Sequence, residues 1–179
     1  MRIETERLIL RPFEARDAAA FAALNADAQV RRHFPDVLTA EESAEQMARI
    51  QARQAADGFA FGAVERRADG VFLGMAGLAT ISFHAPGLPR VEIGWRFAAE
   101  HWGRGYATEA ARACLGWGFA RGMDRIVAFT AVDNLPSQAV MARAGMARAA
   151  RLDFDHPRLP EGHRLRRHLV WEAEAGRWA

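Results

Sequence analysis

Between Arg90 and Phe97 the chain reads RVEIGWRF, with Val91, Ile93 and Trp95 alternating against Glu92, Gly94 and Arg96. Period-two alternation of this kind predicts a strand with one apolar face, and it sets Glu92 on the other face from the large apolar residues. Upstream, RLILRPF (Arg7 to Phe13) predicts a first strand ended by Pro12. EARDAAAFAALNAD predicts a helix with apolar positions at Ala18, Phe21, Ala22 and Leu24. A second helix is expected after Thr39, which stands three residues before Glu42 in a capping-box pattern, running to Asp57 and Gly58. FAFGAVERR and VFLGMAGLATISF are β-rich runs joined through ADG, an Asp-Gly turn signal, and predict a hairpin.

Beyond Phe97, ATEAARACLGWGFARG predicts a helix stopped at Gly122, and RIVAFTAV a strand. DNLPSQAVMARAG then predicts a short helix with Pro136 in its first turn and Gly145 just past its end. MARAARLDF and RRHLVWEAE close the chain as two strands around a long charged loop. The βαβα order of residues 90–145 requires a parallel pairing within a mostly antiparallel sheet. The expected fold class is α/β (α+β), a central mixed, mostly antiparallel seven-stranded sheet flanked by about four helices.

Composition narrows the class. A chain of 179 residues with 50% hydrophobic content is the usual size of one domain, expected to span 1–179. No apolar run approaches the ~20 residues of a membrane span, and MRIETERLIL carries charges where a signal peptide is apolar, so a soluble, cytoplasmic protein is expected. The single cysteine, Cys114, has no partner for a disulfide or a metal cluster and reads as a small core residue. All 24 basic residues are arginine, against 22 acidic ones, for a net charge of +2. That is no footprint for nucleic acid, and the densest cluster, HRLRRH at His163 to His168, reads as a solvated or substrate-facing rim.

Candidate chemistry enters at EHWGRGYATEA, Glu100 to Ala110, where two glycines stand immediately before a helix start. A helix start offers unpaired N–H groups and the positive end of the helix dipole, which favour an anion. Gly103 and Gly105 remove the side chains that would keep a phosphate from those amides, and Arg104 adds a charge at the rim. The dinucleotide fingerprint G-x-G-x-x-G fits poorly, because its third position is Thr108; a P-loop is excluded because the chain has no lysine. A merely connecting turn would leave two glycines where one suffices.

These residues resemble a family. Glu92 to Met146 looks like the core of the GNAT superfamily of N-acetyltransferases, whose pyrophosphate loop has the form Q/R-x-x-G-x-G/A. EHWGRG matches it at Gly103 and Gly105 and departs at Glu100. TERLILRPF, VEIGW, GRGYATEA and DNLPSQAVMARAGM, in that order, resemble the branch of the Rim-type ribosomal-protein N-terminal acetyltransferases, over about Thr5 to Trp171.

The resemblance implies a GNAT-like fold splayed between its fourth and fifth strands, and acetyl transfer from acetyl-coenzyme A to a primary amine by direct attack in a ternary complex. It places the pyrophosphate on Trp102, Gly103, Arg104, Gly105, Tyr106 and Ala107, and the pantetheine arm along Gly94, Trp95 and Arg96, where a backbone N–H can polarise the thioester carbonyl. Gly94 equally suits packing room for Trp95. Asn134 stands where the family bonds the pantetheine arm or a bound water, and is also a good helix cap. Many relatives carry a tyrosine acid seven residues later; here that position is Met141 and the only tyrosine is Tyr106. The Rim-type branch carries a serine three residues after the asparagine, here Ser137, to donate a hydrogen bond to the thioester sulfur.

An amine attacks only when neutral, which at pH 7 costs about 1 kcal/mol for an α-amine and about 4 to 5 for a lysine-like one. Glu92 is the candidate base, with a structural ion pair to an arginine as its other reading; Glu109, in a first helical turn, is assigned to structure. Acceptor contacts are expected from the loops VRRHFPDVL, HAPGLPR and DFDHPRLPEGHRLRRH, with His33, His84, Asp155 and His156 as candidates and Asp153, Asp155 and Glu161 as attraction for a cationic amine. The histidines show no metal-ligand spacing, so no metal is expected. The acceptor is expected to be a protein N-terminal α-amine, ahead of a small-molecule amine such as an amino acid, polyamine or aminoglycoside-like drug. A silent acyl-coenzyme A binding domain is the rival reading, opposed by Asn134 and Ser137. A homodimer is compatible with the resemblance.

Overall fold

The computed structural model describes residues 1–178. Its strands are β1 (Ile3–Glu4), β2 (Leu8–Arg11), β3 (Phe61–Arg66), β4 (Phe72–Thr80), β5 (Val91–Phe97), β6 (Arg125–Ala131), β7 (Ala147–Arg148), β8 (Phe154–Asp155) and β9 (Arg167–Glu174). They form one sheet of order β1-β2-β3-β4-β5-β6-β9-β7, with β8 also paired to β9. The helices are α1 (Ala18–Ala26), α2 (Ala40–Asp57), α3 (Tyr106–Phe119) and α4 (Leu135–Arg143).

Local signals set most boundaries. Thr39 accepts from Glu42 N–H while the Glu42 carboxylate accepts from Thr39 N–H, and α2 ends at Gly58 in the left-handed region. The expected hairpin is β3–β4, with Gly70 at φ 73° in its turn. The seven expected strands become nine because β1, upstream of the expected first strand, adds one and the expected strand MARAARLDF divides into β7 and β8. At the added strand, Thr5 N–H donates to Leu8 C=O while Leu8 N–H donates to Thr5 Oγ1, which folds β1 back on β2. At the division, Asp153 accepts from Val170 N–H at 3.0 Å, so a side chain replaces a ladder bond between β7 and β8.

Helices cover both faces. On one, α3 and α4 pack Ala110, Ala111, Cys114, Leu115 and Met141 against Leu78, Ile93 and Ile126. On the other, Phe21 and Leu24 of α1 pack with Phe13, Ala63 and Met75. Cys114 has no exposed surface, and burial pushes its thiol up to about 12. Arg11, also buried, is held by Asp17 through two hydrogen bonds of 2.7 and 2.9 Å and by Glu65. Every strand pairing is antiparallel except that of β5 with β6, which meet at Glu92 and Val127 alone. Among the described residues no helix is long and apolar enough to cross a membrane.

Candidate active site

The parting of β5 from β6 opens a cleft of about 1320 Å³ that runs from the α3 start to the β4–β5 loop. Which atoms of β5 face it follows from the ladder. Ile81 N–H donates to Arg90 C=O and Ala98 N–H to Leu73 C=O, in register with the pairs Ala79↔Glu92, Gly77↔Gly94 and Met75↔Arg96. Antiparallel bonding alternates, so the main-chain groups of Glu92, Gly94 and Arg96 are engaged by β4, while those of Val91, Ile93 and Trp95 point towards β6. A parallel pairing at Glu92 uses Val91 and Ile93. Trp95 therefore carries the first N–H on that edge with no strand opposite. Of the span Gly94 to Arg96 expected to offer such an N–H, Trp95 alone points into the gap, the amides of Gly94 and Arg96 being directed to β4. Gly94 does provide packing room, but for Phe61: a Cβ there would sit 3.0 Å from that ring, too close for an unshifted contact.

Side chains alternate the other way. Ile93 and Phe97 enter the α3 core with Val91 and Trp95 beside them, and Glu92, Gly94 and Arg96 share the opposite face. Glu92 is half-buried, lines the cleft and has no hydrogen-bond or ion-pair partner among the described residues. Burial raises its pKa to about 7, against the pull of Arg53 and Arg158. The structural ion pair allowed by the sequence is absent from the described contacts.

At the other end, Gly103 and Gly105 have φ of 73° and 81°, conformations that favour glycine. Gly105 is the N-cap of α3 and supplies no side-chain cap. None of the N–H groups of residues 103–108 donates to a described protein acceptor. Trp102 pins the loop by donating from Nε1 to Phe97 C=O at 2.8 Å. Tyr106 is buried beneath the Arg7 guanidinium, and Ala107 lines the cleft. Arg104 is exposed and its side chain does not line the cleft, so the charge expected at the rim stands outside it. Glu109 anchors the helix start through Thr5 and Arg7, which hold its carboxyl below the usual range despite burial.

Across the cleft, Asn134 accepts from Ser137 N–H at 3.3 Å and donates to Thr130 Oγ1 at 2.8 Å. It caps α4 and keeps one amide hydrogen free. Ser137 is half-buried on the cleft wall, and its hydroxyl has no described partner.

The acceptor candidates divide. His33 and His156 line the cleft; His84 and Asp155 do not. His84 is exposed on the β4–β5 loop, and Asp155 is drawn outward to Arg166 at 3.6 Å and Arg167 at 3.4 Å. Asp153 is likewise taken, by Arg148. His33 stands 3.3 Å from Asp133, and burial nevertheless lowers its pKa. Burial lowers His156 to about 4, with His168 and Arg158 adding to the shift, so it is neutral at pH 7. His168, read in the sequence only as the end of the HRLRRH rim cluster, faces His156 with ring centroids 5.1 Å apart. The Arg96 side chain was also missed, although strand alternation alone carries it to the face of Glu92.

The chain is 32% identical over 149 residues to a Bacillus subtilis protein named as an uncharacterized N-acetyltransferase, YnaD, covering 83% of this chain and 84% of that one. An acetyltransferase of the GNAT family from Bacillus anthracis superposes with a TM-score of 0.80 at 26% identity, covering 98% of this chain and 99% of its own. The ribosomal-protein-S5-alanine acetyltransferase of Vibrio fischeri shares the fold, with a TM-score of 0.73 at 19% identity over 100% and 99% of the two chains. A row of unpartnered amides at a glycine-lined helix start suits the pyrophosphate of coenzyme A. Residues 7–147, which contain that row and both parted strands, match the acetyltransferase (GNAT) domain, and the chain belongs to this family of acetyl-coenzyme A-dependent acetyltransferases.

Proposed function

We propose that the protein acetylates an α-amine, that of a protein N-terminus ahead of a small molecule, by direct attack within a ternary complex. The observation that carries this reading is the free Glu92 carboxylate, whose pKa of about 7 lies close to that of an α-amine and far from that of a lysine. Bound acetyl-coenzyme A supplies an activated acetyl group. The amides of residues 103–108 hold its pyrophosphate, and Trp95 N–H donates to the thioester oxygen as negative charge develops there. Glu92 takes the amine proton, directly or through a water. Ser137 donates a hydrogen bond to the departing sulfur, and the free Asn134 amide hydrogen orients the pantetheine arm. The shared fold with an enzyme named for a ribosomal-protein alanine supports the N-terminal choice.

Mass spectrometry of peptides incubated with acetyl-coenzyme A tests this. Acetylation should fall on free N-termini and spare lysine side chains in N-terminally blocked peptides. Modification of lysine alone would overturn the reading.

A further inference from the structure

Arg96 is a buried cation without a counter-ion. The residue is 6% exposed, and Nε and Nη1 have no partner among the described residues. Nη2 meets only the Gln46 amide oxygen at 3.4 Å and the Met75 sulfur. The nearest rings, Phe34 and Phe21, have centroids 5.1 and 5.8 Å from its central carbon, and a ring face is a weak substitute for an anion. Burial lowers Arg96 to about 9, still charged at pH 7, and the adjacent charge, Arg31, has the wrong sign and adds to the shift. A structural arginine is paired, as Arg11 is to Asp17 and Glu65. Leaving a buried guanidinium unpaired costs stability, and that cost falls on the wall of the catalytic cleft.

The rest of the acceptor side agrees in sign. Arg49, Arg53 and Arg158 line the cleft there, and Glu92 is the only carboxylate among its described lining residues. Such a wall opposes polyamines and aminoglycosides and attracts an amine that also carries negative charge. Glu92 and Arg96 lie four residues apart on one face of β5, roughly 13 Å between α-carbons before side-chain reach is subtracted. Gly94 between them has no side chain, and the Phe61 ring floors the interval.

We infer that Arg96 is an anion subsite for the acceptor, which presents a carboxylate within a residue or two of the amine delivered to Glu92. This rests on the reading of the cleft as an amine acetylation site. The carboxylate belongs either to an acidic side chain near a peptide N-terminus or to a free amino acid. Phe34, 39% exposed on the α1–α2 loop, lies over the guanidinium.

The test compares acceptor pairs differing in one carboxylate: peptides beginning with Asp or Asn, and free glutamine against its α-amide. The parent enzyme should favour the carboxylate member of at least one pair by about tenfold or more in kcat/KM, the scale of a charge-assisted hydrogen bond. The pair that responds identifies the source. In Arg96→Met the preference should collapse towards unity, and without substrates this variant should melt above the parent, because it loses an unpaired buried charge. Glutarate should raise the melting temperature of the parent and not of Arg96→Met, a readout that needs no turnover. Equal use of both members of each pair, a preference surviving in Arg96→Met, or a lower melting temperature for that variant would each overturn the inference. Acetylation of lysine alone would instead refute the α-amine reading, and N-acetyl-lysine against its amide then carries the same comparison.

Discussion

Replacing Glu92 by glutamine preserves the shape of the side chain and removes its charge, so the variant should gain stability where it loses activity. Burial raises the carboxyl from its ordinary 4.5 to about 7. Between those values the unfolded chain ionises first while the folded protein keeps its proton. The raised pKa therefore contributes stability that is full below 4.5 and is lost as pH rises through about 7. At 1.36 kcal/mol per pH unit, the parent gives up about 3 kcal/mol across that window, and Glu92→Gln does not. Glu92 is only half-buried, so solvent screening makes this an upper bound. For a domain of this size the gap corresponds to a melting temperature up to roughly 6 to 12 °C higher for the variant at pH 8, vanishing near pH 4.5. Thermal melts at matched pH values measure it. Turnover should fall by about tenfold at pH 7, the ground-state deprotonation cost of an α-amine, and the defect should fade by about pH 9. A variant that melts no higher than the parent at pH 8, or by the same margin at every pH, would show that Glu92 is not held near neutrality.

Further outcomes follow from the same geometry. Gly105→Val forces a β-branched residue to φ 81° beside the amide row, and calorimetry should show coenzyme A affinity reduced about tenfold or more; unchanged affinity in the folded variant would remove the pyrophosphate assignment. Ser137→Ala keeps the Asn134 cap, which uses only the Ser137 backbone, so steady-state kinetics should show turnover down by up to ~10² with coenzyme A affinity retained. Asp17→Ala leaves Arg11 short of its bidentate partner in the core and should cost about 3–5 kcal/mol in urea titration, without changing the pH profile of turnover.

The legible parts of the fold were those written in adjacent residues. Thr39 with Glu42, the ADG turn and the glycines at 103 and 105 each act within a few positions, and each stands where its local chemistry requires. Contacts between distant residues were not legible. Asp153 captures Val170 N–H seventeen positions away and breaks a strand whose propensity is continuous. Asp155 looked free to attract a cationic amine, but Arg166, just before β9, and Arg167, its first residue, return to neutralise it. The Arg96 side chain illustrates a different gap: its face followed from alternation, whereas its lack of a counter-ion depends on every element packed around it.

Strand β5 presents two sets of groups at right angles, which is how, on the proposed reading, one short segment would serve both substrates. Its side chains alternate through the sheet, with Ile93 and Phe97 in the core and Glu92 and Arg96 towards the acceptor. Its amides alternate within the sheet plane, those of Glu92, Gly94 and Arg96 towards β4 and that of Trp95 into the gap before β6. On the proposed reading, the Glu92 and Arg96 side chains thus face the acceptor while the Trp95 N–H faces the thioester. A slip of one residue would exchange both sets at once, burying Glu92 against α3 and turning Trp95 N–H back towards β4. The seven-residue register against β4, from Gly74↔Phe97 to Thr80↔Val91, is what prevents that slip, so the long antiparallel pairing on one edge makes the unpaired opposite edge usable.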